Sequence, residues 1–298
     1  MSLRDQTSKA QARPADNLRG AALLVLAMLA LTLEAAAIRW VGPSASVSQA
    51  VFFRAMAQLL VVCCWSLWRG GLPDLRTGRP WLHVARGAGS VSSWWLYYYT
   101  FRHLDFALAT ILTFATSLFV VLLARPILGE KVRLGSWVAT LIGFGGVALA
   151  SGVGTVGVDP TVAVGLSAAL IGSLVVFLNR TLSQSEDMLT IFTYICFFVV
   201  AAAIPMAWYD WQPISLAQTA ILLGAGLLGA LGMLLTIEAY GRGETSVLAP
   251  IPFVRIVFAM AFAYLLFAET PTLNMVVGAV VVVGAALAVA AGERRPPR

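Results

Sequence analysis

Charge is what this chain has least of. Asp, Glu, Lys and Arg make up 11% of its 298 residues, against 59% hydrophobic residues. One soluble core of this length would not need such an apolar excess, so a soluble globular protein is excluded. Cysteine is scarce as well. Cys63, Cys64 and Cys196 lie in apolar stretches, their number is odd, and the adjacent pair points to different helix faces. That excludes a disulfide framework and a metal site, and leaves packing as their role. The two histidines, His83 and His103, stand at ends of apolar stretches without companion ligands and read as solvated interface residues. No GxxxxGKS/T loop, no HExxH and no Ser/Lys, Ser/His or paired central carboxylates occur, so no nucleotide, metal or cofactor is expected and enzyme chemistry is disfavoured. A channel's ring of like charges or repeated filter loop is missing too.

What the chain does have is ten long apolar runs. They extend from Gly20 to Val41, Val47 to Trp68, Trp81 to Phe101, Phe106 to Leu128, Val132 to Gly152, Thr161 to Arg180, Met188 to Trp208, Ser215 to Glu238, Thr245 to Phe267 and Thr272 to Ala291. At about 1.5 Å of rise per residue each spans roughly 30 Å, the thickness of a bilayer's hydrocarbon core. Strands of a membrane barrel would alternate apolar and polar residues, whereas LLVLAMLAL and VVGAVVVVGAALAVA are apolar all round. The first run is too long for a signal peptide and lacks a cleavage site, so it is expected to remain in the mature protein. Connections are short except around Gly70 to Pro80, which leaves no room for a soluble catalytic domain.

Basic residues crowd into every second gap. Fifteen of the 20 Lys and Arg fall on one side of the runs, only Arg39 and Arg102 fall on the other, and Arg54, Arg86 and Arg255 lie within runs. The positive-inside rule then predicts both termini in the cytoplasm. The net charge of +6 is thereby a topology signal, and no nucleic-acid partner is expected.

The chain also repeats itself. A shift of 139 residues lays FALATILTFATSLFVVLLARPILGEKVRLGSWVATLIGFGG over TSVLAPIPFVRIVFAMAFAYLLFAETPTLNMVVGAVVVVGAA, pairing Phe114 with Phe253, Phe119 with Phe258, Glu130 with Glu269 and Gly145 with Gly284. A unit of five helices is odd in number, so the second unit must enter the membrane upside down, the architecture of alternating-access transporters. The segment SSWWLYYYTFRHLDFALATILTFATSLFVVLLARPILGEKVRLGSW, followed by GFGGVALA, resembles the first repeat of the drug/metabolite transporter superfamily. EAYGRGETSVLAPIPFVRIVFAMAFAYLLFAETPTLNMVVGA resembles the second. The likeness covers essentially the whole chain, and its size and pattern are similar to the EamA-type ten-helix bacterial exporters of amino acids and related metabolites.

Ionisable groups deep in a membrane cost at least about 2.5 to 3.5 kcal/mol each, so each needs a partner or a wet cavity. Glu34 and Arg54 sit at similar depth on the first two runs. Either they form an ion pair that locks two helices, or Glu34 is a proton-titrating or amine-binding carboxylate. Arg255 follows Pro250 and Pro252, which break the helix ladder; it is either a site for a substrate carboxylate or a cation neutralised by structural groups. Its repeat counterpart is Thr116.

On the third run Trp95, Tyr98, Tyr99 and Arg102 share a face with Trp94 and Tyr97 to its side. The tyrosines are either an interfacial aromatic belt near the outer boundary or, with Trp94 and Trp95 deeper in, candidate substrate-binding residues of an amphipathic pocket; packing is the other reading of the two tryptophans. Asn179, Glu238 and Arg86 form a polar inner gate or are solvated at the interface. Glu130 and Glu269 are expected to cap the fifth and tenth helices. Small residues such as Gly143, Gly146, Gly226, Gly229 and Gly278 permit close helix packing.

The expectation is an all-α membrane protein of ten transmembrane helices in two inverted five-helix repeats, 20–152 and 161–291, with cytoplasmic tails 1–19 and 292–298. Its function is expected to be secondary transport, exporting amino acids or related metabolites across a bacterial inner membrane. The alternative is a carrier of a larger aromatic metabolite, vitamin or nucleoside-like, in either direction. Small-molecule substrate and lipid bilayer are the expected partners.

Overall fold

The computed structural model describes residues 17–68, 77–128, 134–151, 159–183, 185–186, 188–242, 248 and 251–293. Among these the chain is helical, in ten helices: α1 (Asn17–Val41), α2 (Val47–Trp68), α3 (Pro80–His103), α4 (Phe106–Leu128), α5 (Leu134–Ala150), α6 (Pro160–Leu182), α7 (Met188–Tyr209), α8 (Leu216–Arg242), α9 (Val254–Phe267) and α10 (Leu273–Glu293). Pro80 and Pro160 occupy first turns, where no intrahelical N–H is needed. The Asp159 carboxylate accepts the Thr161 N–H at 2.7 Å and caps α6. A 3-10 turn, Ile251–Phe253, leads into α9.

Six helices, α1, α2, α4, α6, α7 and α8, are long and apolar enough by themselves to cross a membrane. The ten runs read from the sequence correspond to these ten helices, of which the other four are shorter or less apolar among the described residues. α5, α9 with its leading turn and the apolar part of α10 are shorter, and α3 carries Arg86, Arg102 and a series of hydroxyls that dilute its apolar character. The runs assigned to α5 and α9 extend into residues 129–133 and 243–247, outside the described ones. Glu130 and Pro250 also lie outside the described residues, as do most of the two tails.

Helix pairing follows a rule. α1 packs on α8, α3 on α6, α2 on α7 and α8, α3 on α7, α4 on α9, and α5 on α10; α4 touches α6 as α1 touches α9. Exchanging the first five helices for the last five, in order, leaves this set unchanged. The repeat-matched rings of Phe114 and Phe253 stack against each other, centroids 5.1 Å apart, as residues near an exchange axis must.

Small residues set the closest approaches. A Cβ at Gly278 would stand 2.5 Å from the Gly146 carbonyl oxygen, and one at Gly146 would stand 2.9 Å from that of Gly278, so α5 and α10 meet backbone to backbone. On α8, a Cβ at Gly229 would stand 2.6 Å from the Glu34 carboxylate, so this glycine makes room for a buried acid.

The exchange symmetry is not complete. α4 packs on α5, whereas α9 and α10 splay and leave between them an apolar cleft of about 520 Å³, lined by Phe253, Ile256, Met260, Val276 and Val283 among others.

Candidate functional site

One face of α3 builds the site. Arg86, Ser90, Ser93, Trp94, Tyr97, Tyr98 and Phe101 recur at spacings of three and four and line a central cavity of about 420 Å³. α1 adds Glu34 and Ala35, α2 adds Arg54, α4 adds Thr113, Phe114, Thr116 and Ser117, α6 adds Gly172 and Val175, and the segment entering α9 adds Pro252 and Arg255. The walls are apolar and aromatic, with a few converging polar groups, as small-molecule sites are.

Glu34 and Arg54 meet in a buried ion pair. Tyr98 ties them together: its hydroxyl donates to Glu34 Oε1 at 2.6 Å and accepts from Arg54 at 2.8 Å. The Trp94 ring lies over the Arg54 guanidinium at 4.3 Å, a cation–π contact in a place where water is scarce. Mutual attraction and these hydrogen bonds offset the desolvation of both charges. Arg255 differs. Its Nε is buried without a hydrogen-bond partner, and among the described residues its side chain makes no hydrogen bond or ion pair. It stands within electrostatic reach of Tyr97, Tyr98 and Arg54. The Tyr97 hydroxyl is 2.8 Å from that of Thr116.

The site residues read from the sequence divide accordingly. Glu34, Arg54, Trp94, Tyr98, Thr116, Pro252, Arg255 and Arg86 all line the cavity. Trp95 and Tyr99 do not. They stack on each other at 5.6 Å, Tyr99 stacks on His103 at 4.0 Å, and Trp95 donates to Ser48 at 3.2 Å. The shared face of Trp95 and Tyr99 was correct as helix geometry, but the inward face runs through Trp94 and Tyr97, one residue earlier. Tyr98 belongs to both.

Arg86 and Asn179 do meet, Nε to Oδ1 at 2.5 Å, and Arg86 also bonds the Ser90 hydroxyl. They separate the cavity from a second space of about 370 Å³ lined by Arg86, Asn179, Arg180, Glu186, Phe192 and Met233. Glu238 takes no part: it is exposed and bonds Arg242 one turn on.

Two further corrections concern the helix ends. His83 is fully buried rather than solvated, stacked on Tyr194 at 4.2 Å with Nε2 2.5 Å from Glu186, which Thr77 also bonds. Sequence reasoning missed Glu186, since nothing local to it signals a partner one hundred residues away. Glu269 caps α4 rather than α10. It accepts the Phe106 N–H at 2.8 Å and pairs with Arg39, which in turn donates to the carbonyls of Phe101, at 2.9 Å, and of Leu104. Ala268, at φ 54°, makes the left-handed turn that carries Glu269 across to α4. Burial holds the Glu269 carboxyl above the usual range, against the opposing pull of the Phe106 N–H and Arg39.

A helical bundle whose apolar spans surround a chamber with ionic groups on its wall is an architecture that carriers of small molecules use. The sequence profile of the EamA-like transporter family matches residues 18–152 and again 160–291, and the chain belongs to that family. The chain is 26% identical over 282 residues to an S-adenosylmethionine uptake transporter of Rickettsia prowazekii, covering 93% of this chain and 94% of that protein. It is 26% identical over 272 residues to the pseudopaline exporter CntI of Pseudomonas aeruginosa, covering 90% and 95%. It is 27% identical over 308 residues to a riboflavin transporter of Rhizobium johnstonii, covering 99% and 98%. A solved crystal structure, 18% identical, shares the fold over 94% of this chain and 97% of its own, with a TM-score of 0.62.

Proposed function

We propose that this protein is a secondary transporter that exports amino acids or related small metabolites across a bacterial inner membrane by alternating access. The observation that carries the reading is Arg255, a cation whose side chain has no hydrogen-bond or ion-pair partner among the described residues, facing a chamber that six helices share. A substrate carboxylate supplies the missing counter-charge, and the Glu34–Arg54–Tyr98 cluster beside it meets the ammonium end or the coupling ion.

Two five-helix repeats, 20–152 and 161–291, lie in opposite orientations, with residues 1–19 and 292–298 in the cytoplasm. The double family match, the exchangeable helix pairs, the Phe114–Phe253 contact and the crowding of basic residues into alternate gaps support this arrangement. Arg86 and Asn179 are the inner gate of this scheme. The reading needs no nucleotide, metal or cofactor.

Flux of labelled amino acids into proteoliposomes tests it. Saturable uptake above empty liposomes is expected, and Arg255→Ala lowers the initial rate at least about tenfold, the worth of one charge-assisted hydrogen bond. Absence of flux for every amino acid tried would exclude the substrate class. The aromatic wall of Trp94, Tyr97, Tyr98, Phe101 and Phe114 favours a second reading, a larger ring-bearing metabolite. The relatives named for S-adenosylmethionine and riboflavin support it. Competition of one labelled amino acid by a metabolite panel separates the two.

A further inference from the structure

Charges on the chamber wall do not balance. Among the described residues four ionisable charges line it: Glu34, Arg54, Arg86 and Arg255. Glu34 and Arg54 cancel in their ion pair. Arg86 is held by Asn179 and Ser90, neither of which carries charge, and Arg255 Nε is buried without a partner among the described residues. The acid nearest to Arg86 on the side of the second space is Glu186, already engaged by His83 and Thr77, with Arg180 on the same lining. Among the described residues, two positive charges are therefore left facing the chamber without a paired carboxylate.

A zwitterion cannot correct this, because it brings one charge of each sign. A molecule with two carboxylates can. Arg86 lies eleven residues before Tyr97 on α3, roughly 16 Å along the helix at 1.5 Å per residue, and Arg255 stands by Tyr97 and Tyr98. The two guanidiniums thus stand at different depths of one chamber, and a short aliphatic diacid with a carboxylate at each end can reach from one towards the other. Paired guanidinium–carboxylate contacts are the geometry arginine favours over lysine. The hydroxyls of Thr116 and Ser117 line the same chamber as donors for the remaining carboxylate lone pairs, whereas Ser93 and Thr113 already donate to the carbonyls of Ala168 and Thr110.

Resting on the transporter reading above and narrowing its substrate, we infer that the chamber is built for an organic diacid, one carboxylate on Arg255 and the other on Arg86, with or without an amino group at Glu34. Arg86 then has two roles in sequence. It receives the inner carboxylate, and in doing so gives up its bond to Asn179, so that arrival of the substrate itself changes the inner barrier.

Isothermal titration of the purified full chain with glutarate and with its mono-amide, glutaramate, tests this directly. The two are nearly isosteric and differ by one charge. Glutarate is expected to bind at least tenfold more tightly. Arg255→Gln and Arg86→Gln each bring the pair to within about twofold, and the Lys substitutions keep part of the preference. Glutamate against glutamine repeats the comparison with an amino group present.

Equal affinity of glutarate and glutaramate for the unaltered protein would overturn the inference even if no variant folds, as would a preference that survives both Gln substitutions. Counterflow of labelled glutarate in proteoliposomes separates the two levels of the argument. A diacid preference in binding without flux removes the transporter reading and keeps the diacid site. Flux of neutral amino acids without any diacid preference does the reverse.

Discussion

The two ends of the bundle are closed by different means. At the end away from the termini, Arg39 binds two carbonyls and Glu269, Glu269 caps α4, and Arg102 donates to the carbonyls of Ala45 and Ser46. Ser46 and Ser48 bond Asp210, and Gln49 bonds the Gln212 backbone in both directions. These contacts tie turns from both halves of the chain. At the end nearer the termini, the Arg86–Asn179 bridge stands between the chamber and the space beyond it. Among the described residues the far end is held by a web of bonds between turns, and the near end by the Arg86–Asn179 bridge together with the His83–Glu186–Thr77 cluster. The difference teaches that, among the described residues, turns at the far end are tied directly to one another, while at the near end the bonds run between helices α3, α6 and the start of α7.

The largest effect is expected at the far end. Arg39→Ala strands two carbonyls and one carboxylate, and at about 1 to 3 kcal/mol for each unsatisfied buried group the bundle should lose roughly 3 kcal/mol of stability. Thermal unfolding measures that loss, and thiol labelling of Ala107→Cys, in a chain freed of Cys63, Cys64 and Cys196, should rise with it. Unchanged labelling would break the comparison.

Next comes Asn179→Ala at the near end. It should cost about 1.5 kcal/mol, less than the far-end variant because Arg86 keeps Ser90, yet speed labelling of a cysteine at Gly172, where a side chain meets nothing closer than 3.4 Å. A larger stability loss for Asn179→Ala than for Arg39→Ala would reverse the comparison of the two ends.

The smallest effect is one of pH. Because the folded Glu269 carboxyl binds its proton more tightly than an ordinary Glu, folding takes up a proton between the usual carboxylate range and the raised value. Stability should therefore be greatest below that window and decline as pH rises through it. Glu269→Gln should flatten the slope in a melting-temperature series; a slope unaltered by the substitution would assign it to other groups.

Helices were legible in the sequence because lipid demands them. The runs Val47 to Trp68 and Phe106 to Leu128 coincide with α2 and α4 to the residue. The Glu34–Arg54 contact was legible for a related reason: two charges at matched depth on helices joined by a short turn have little else to meet. What the sequence withheld was rotation and distance. A helical wheel groups Trp95 with Tyr99 and Trp94 with Tyr98, but which group faces inward is set by α1, α2 and α4, not by α3. His83 with Glu186, and Glu269 with Phe106, join residues more than one hundred positions apart, and no local spacing encodes such a match. Glu269 stands at the repeat junction as expected, yet its work is done on the opposite repeat.

Where Gly146 and Gly278 press together, main chain rests on main chain with no side chain between. Rotamer changes therefore have nothing to act on at that point, and α5 and α10 are riveted there. Any rocking of one half against the other must turn about this rivet. A single methyl added to either glycine would act as a wedge in a hinge, felt at both mouths of the chamber although it touches neither.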